Sequence, residues 1–164
     1  MKDYLPLLLA FGLLALVPLA GSDDVTVTAD VSGYITATFN YDTVSFGTLS
    51  VGTTDNAAPG NTNGWYNVTV DANANYKVEA YGSDFTGATY GDTIAISNLK
   101  MDTNSTAADL SVTDAVALST SSQVIDTDIP YTVTTHYHGF WLTIPSDTAA
   151  DSYSTTVTIT YSLA

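Results

Sequence analysis

The chain has 164 residues, 17 of them acidic and 3 basic, for a formal net charge of −14, and it contains no cysteine. The basic residues are Lys2, Lys77 and Lys100, too few cations to neutralise a nucleic-acid backbone or to hold a transferred phosphoryl group. The missing thiols exclude disulfides, cysteine nucleophiles, iron–sulfur clusters and Cys-type zinc sites.

Residues 1–22 read as a hydrophobic leader. Lys2 precedes an apolar run over 4–20, and Ala20, Gly21 and Ser22 follow it. This is the order of a secretory signal peptide, with cleavage expected at Ala20-x-Ser22. A retained hydrophobic helix is the alternative, because the run reaches the lower length limit for a membrane span. Cleavage removes Lys2 and Asp3 together, so the charge of the mature chain stays at −14. Secretion to the cell surface follows, with the membrane touched only through an uncleaved leader.

Residues 23–164 read as a single domain. Val25, Val27, Ala29 and Val31 alternate with polar residues, and the same parity continues through Ile35, Ala37, Phe39 and Tyr41, with Gly33 between. One bent strand, or two strands broken at Gly33, is expected. Tyr66, Val68, Val70 and Ala72 predict the next strand and Tyr76, Val78 and Ala80 another, with Asn73-Ala74-Asn75 as the hairpin turn between them. Ile94 and Ile96 mark a further strand, while the spacing over 109–118 is ambiguous. Tyr131, Val133, Thr135 and Tyr137 share one parity and Phe140, Leu142 and Ile144 the other, so a β-bulge is expected at Gly139. Tyr153, Val157, Ile159, Tyr161 and Leu163 line one face of the last strand. The fold class is therefore all-β: an immunoglobulin-like two-sheet β-sandwich of about eight to ten strands.

Candidate chemistry is sparse. His136 and His138, spaced H-x-H along a strand, share a face and are candidate zinc or copper ligands; the alternative is a polar, solvent-facing pair. Asp71, Asn73 and Asn75 resemble the start of a calcium loop, although Tyr76 and Gly82 stand where its glycine and closing glutamate belong. No cofactor is expected, with a divalent cation such as calcium as the candidate exception. Asn67 and Asn104 head glycosylation sequons, Asn67-Val68-Thr69 and Asn104-Ser105-Thr106, so glycans are candidate modifications. Trp65, Trp141 and the tyrosines suit either a sugar-stacking platform or core packing. No G-x-S-x-G motif accompanies the histidines, and the chain reads as non-enzymatic.

The segment 23–31 is a candidate donor strand. It can leave its own domain and complete the sheet of an identical copy, with Val25, Val27, Ala29 and Val31 filling pockets and Gly33 as the hinge. Three stretches carry a resemblance: Val44–Leu49, Tyr66–Tyr76 and Gly139–Tyr161. They resemble secreted prokaryotic, especially archaeal, surface β-sandwich proteins, and are similar to the subunits of archaeal bundling pili, archaeal threads and TasA-like fibres. The resemblance implies a homopolymeric extracellular structure. The expected role is a structural subunit of a cell-surface filament or sheath. The alternatives are a monomeric secreted module binding carbohydrate or calcium, and a pilin-like protein anchored by an N-terminal helix.

Overall fold

Strict alternation of apolar and polar side chains builds the sheets. Along Asn67–Ala72, Val68 and Val70 are buried while Thr69 and Asp71 are exposed. Along Tyr76–Gly82, Tyr76, Val78 and Ala80 are sealed from solvent. The computed structural model describes residues 28–164, and the unit from Ser32 to Ala164 carries all of the regular structure described below. Its strands in chain order are β1 (Ile35–Phe39), β2 (Asn56–Ala57), β3 (Asn67–Ala72), β4 (Tyr76–Gly82), β5 (Phe85–Gly87), β6 (Thr93–Ile94), β7 (Leu99–Asn104), β8 (Val116–Ala117), β9 (Gln123–Ile129), β10 (Thr135–Leu142), β11 (Tyr153–Ser154) and β12 (Val157–Leu163). Short 3-10 turns cover Ile96–Asn98 and Ala107–Asp109.

The larger sheet runs β1-β3-β10-β7-β8, with β2 paired to the end of β10. The opposing sheet runs β12-β4-β9, and a small third sheet runs β11-β5-β6. All pairings are antiparallel. The two main sheets close on a shared interior. At one end Val68 and Val70 of β3 meet Tyr76 and Val78 of β4 and Ile129 of β9. At the other, Met101, Phe140 and Leu142 meet Ala80, Phe85, Ile94 and Leu118. The expected all-β sandwich is present, with the third sheet raising the strand count above expectation.

Several local expectations are corrected. Residues 28–34 form no strand, so regular pairing begins at Ile35; Val25 and Val27, like the leader 1–22, lie outside the described residues. Asn73–Asn75 is not a hairpin turn, because β3 and β4 belong to different sheets; the three residues form an arch between layers. Gly139 carries no bulge: β10 pairs with β7 in unbroken register from Tyr137 to Leu142. Glycine is required there because a Cβ would run into the Trp141 indole. The last strand is split, since Tyr153 joins the small sheet through β11 while β12 joins β4. Among the described residues, no helix is long and apolar enough to cross a membrane.

Candidate functional site

β10 turns its even-numbered side chains inward. His136, His138, Phe140 and Leu142 form one continuous row, and the two imidazoles are 2 % and 1 % exposed. The pair is thus neither solvent-facing nor on the face opposite the core. The parity switch read from Tyr131 and Val133 was misleading because both precede the strand, and Tyr131 is exposed.

Hydroxyl groups engage all four imidazole nitrogens. Tyr76 donates its hydroxyl proton to the Val133 carbonyl at 2.6 Å, so it accepts from His136 Nε2 at 2.8 Å. That assigns the Nε2–H tautomer to His136 and leaves Nδ1 as an acceptor facing Thr103 Oγ1 at 3.4 Å. His138 Nδ1 is hydrogen-bonded to the Tyr41 hydroxyl, and its Nε2 lies 2.7 Å from the Tyr161 hydroxyl. A neutral imidazole donates once and accepts once, so one of these tyrosines donates and the other accepts. Tyr76 and Tyr161 come from the opposing sheet, so the polar layer fastens the two sheets together between their apolar clusters.

Burial keeps this layer neutral. It lowers His136 to about 4, and it lowers His138 to about 3, with the neighbouring His136 adding to the effect. Burial likewise raises Tyr76 to about 12 and pushes Tyr41 and Tyr161 further up. A neutral imidazole is the form that ligates a metal, but both pairs of lone-pair and N–H positions already have hydroxyl partners. Among the described residues, no group of three or more His, Cys, Asp or Glu side chains could hold a metal ion.

The other sequence candidates have structural partners. Asp71 Oδ1 accepts from the Tyr34 hydroxyl at 3.0 Å. Asn73 accepts from the Tyr34 backbone N–H at 2.7 Å and donates to the Ser32 carbonyl at 2.9 Å. The Asn75 carbonyl accepts from the Ala164 N–H at 2.9 Å. Asp71, Asn73 and Asn75 therefore clasp the chain where it enters β1 and leaves β12, rather than converging on an ion. Of the sequons, Asn67 is committed on both sides, donating to the Gly64 carbonyl at 2.9 Å and accepting from Asn40 at 2.6 Å. Asn104 closes only a local turn, accepting from the Thr106 N–H at 3.3 Å. Asp102, which the sequence reading passed over, is buried in β7 and holds the Thr103 and Ser111 N–H groups. Alternation of Leu99, Met101 and Thr103 was the available signal for that strand.

One flank of the sandwich is open. β1 and β12 end their sheets, and no described strand pairs with the outer edge of either. Ile35 and Ala37 of β1, and Val157, Ile159, Tyr161 and Leu163 of β12, face inward yet are only half-buried, and Phe39 is exposed. Ala29 and Val31 of the candidate interface row are exposed, Val31 at 84 %.

No protein-family model matches the chain, and no curated protein matches it. Among solved structures, the chain is similar to a family 123 glycoside hydrolase from Clostridium perfringens, studied for glycolipid glycan hydrolysis. The identity is 15 % and the TM-score 0.38; the match covers 68 % of this chain and 19 % of the hydrolase, so the chain spans about a fifth of that protein's length. The non-enzymatic expectation is withdrawn on this finding. A TM-score this low also lends no weight to any particular activity.

Proposed function

We propose that this chain is a secreted structural subunit of a cell-surface filament or sheath, polymerising with identical copies by strand complementation. The observation that carries the reading is the open flank: a half-buried apolar row on β1 and β12 beside unpaired sheet edges. An edge of this kind offers backbone hydrogen bonds to an added strand, and the half-buried row offers pockets to its alternate side chains. The row Val25, Val27, Ala29 and Val31 has the spacing of two residues that such pockets take. The small size of these side chains suits insertion at a flank that is already partly filled.

The test is deletion of residues 23–31. The intact chain forms fibres in negative-stain micrographs and runs as a concentration-dependent polymer in sedimentation. The deleted chain stays folded and monomeric, and a labelled peptide of residues 23–31 binds it. Polymerisation unchanged by the deletion, or an intact chain that is monomeric at every concentration, overturns the proposal.

A further inference from the structure

The loop before β3 is held rigidly. Asn61, buried, donates from Nδ2 to the Phe140 carbonyl at 2.9 Å and accepts from the Phe140 N–H at 3.0 Å, so it docks the loop on β10 as a strand residue would. Asn63 donates to the Pro59 carbonyl at 3.2 Å, and the Trp65 N–H donates to the Gly60 carbonyl at 3.2 Å. Gly60 has no room for a Cβ, which would stand 2.6 Å from the Tyr66 ring, and Gly64 turns the chain at a φ of +64°. These constraints hold the backbone on which Trp65 is carried, yet Trp65 itself is 60 % exposed. Leaving so large an apolar ring in water forgoes the stabilisation its burial would bring.

Trp65 borders a groove of about 540 Å³. Tyr41, Pro59 and Tyr66 line it with apolar surface, and Thr43 and Ser45 are the hydroxyl-bearing residues of its lining beside the tyrosines. A mostly apolar concavity of several hundred cubic ångströms with a few polar groups is the general form of a small-molecule site. Charge selects the occupant. Among the described residues no Lys, Arg, His, Asp or Glu lines the groove, so nothing there neutralises an anionic ligand, and a chain of net charge −14 repels anions. An uncharged ligand with a flat C–H face for the indole and hydroxyls for Thr43 and Ser45 fits this lining.

We infer that this groove binds a neutral oligosaccharide, with Trp65 stacked on the C–H face of one sugar ring and Thr43 and Ser45 hydrogen-bonded to its hydroxyls. The inference is independent of polymerisation. The full chain is titrated with cellotetraose, maltotetraose and N-acetylchitotetraose, and with a hyaluronan tetrasaccharide as the anionic control, by tryptophan emission and calorimetry. At least one neutral sugar binds saturably and the anionic one does not. Trp65→Ala weakens that binding by about tenfold or more. Thr43→Val and Ser45→Ala weaken it by smaller factors, and Tyr90→Ala, exposed elsewhere, leaves it unchanged. Trp65 is exposed, so its removal tests the site without unfolding the protein. No saturable binding of any neutral member up to about 10 mM overturns the inference. So does binding indifferent to Trp65→Ala, or a Trp65→Ala protein whose one defect is loss of self-association, which would make the groove a contact between copies.

Discussion

Acid should loosen the sandwich through its two imidazoles. An unfolded histidine takes up its proton near pH 6.5, whereas burial lowers His136 to about 4 and His138 to about 3. The sign follows from proton counting. Between these values the unfolded chain binds more protons than the folded one, so stability is complete above about pH 6.5 and falls as the pH drops. Each histidine contributes a slope approaching 1.4 kcal/mol per pH unit, which integrates to about 2 kcal/mol between about pH 7.5 and about pH 5, or about 4 kcal/mol for the pair. Asp102 and Asp126 act oppositely: burial raises both, so the folded chain takes up their protons first as the pH falls through the raised values towards about 3.9, and that uptake offsets part of the histidine slope. Urea denaturation followed by circular dichroism across this range measures the slope in the wild type, His136→Phe and His138→Phe. Each variant loses about 1–3 kcal/mol at about pH 7.5, because the hydroxyls of Tyr76 and Thr103, or of Tyr41 and Tyr161, are left without a nitrogen partner, but keeps only about half the pH slope. An identical slope in all three proteins, or wild-type stability that rises steadily towards about pH 5, would refute the reasoning.

Other substitutions probe the frame. Gly139→Ala forces a methyl group against the Trp141 indole and is expected to cost about 1–3 kcal/mol in the same denaturation assay. Asn61→Ala removes both of its bonds to Phe140; the Phe140 carbonyl keeps the Ala58 N–H at 2.9 Å but the Phe140 N–H loses its Asn61 acceptor, at a cost of about 1–3 kcal/mol. Met101→Ala opens a cavity at a fully buried site on β7 and is expected to cost about 2–5 kcal/mol. Asn73→Ala frees Ser32–Tyr34 from the arch; the expected loss is about 1 kcal/mol, with limited proteolysis near Gly33 markedly faster than in the wild type.

The sandwich was legible because alternation is a local signal. Val68 with Val70, and Tyr76 with Val78 and Ala80, sit inward as their spacing requires. What alternation cannot carry is which strand belongs to which layer. The Asn73–Asn75 segment has the composition of a hairpin turn, and only the pairing of β3 with β1 and β10, and of β4 with β12 and β9, makes it an arch. Histidine parity failed for a related reason. Imidazoles are ranked as polar, but here Tyr41, Tyr76, Thr103 and Tyr161 supply hydrogen bonds from 23 to 97 positions away in the chain. Burial became tolerable only once those partners arrived. Strands β7 and β9 were hidden by Asp102, Asp126 and Asp128, acids that discourage a strand reading; Asp102 is accommodated because two backbone N–H groups bind it. The Trp65 groove left only a compositional trace, because it is assembled from residues on either side of a loop.

The clasp formed by Asn73 and Asn75 brings Ser32–Tyr34 and Ala164 to one pole of the sandwich. That proximity makes the molecule a natural subject for circular permutation. A short Gly-Ser bridge from Ala164 back to Ser32, with new termini cut at the exposed Tyr90–Gly91 turn, preserves every sheet pairing while relocating both ends to another part of the surface.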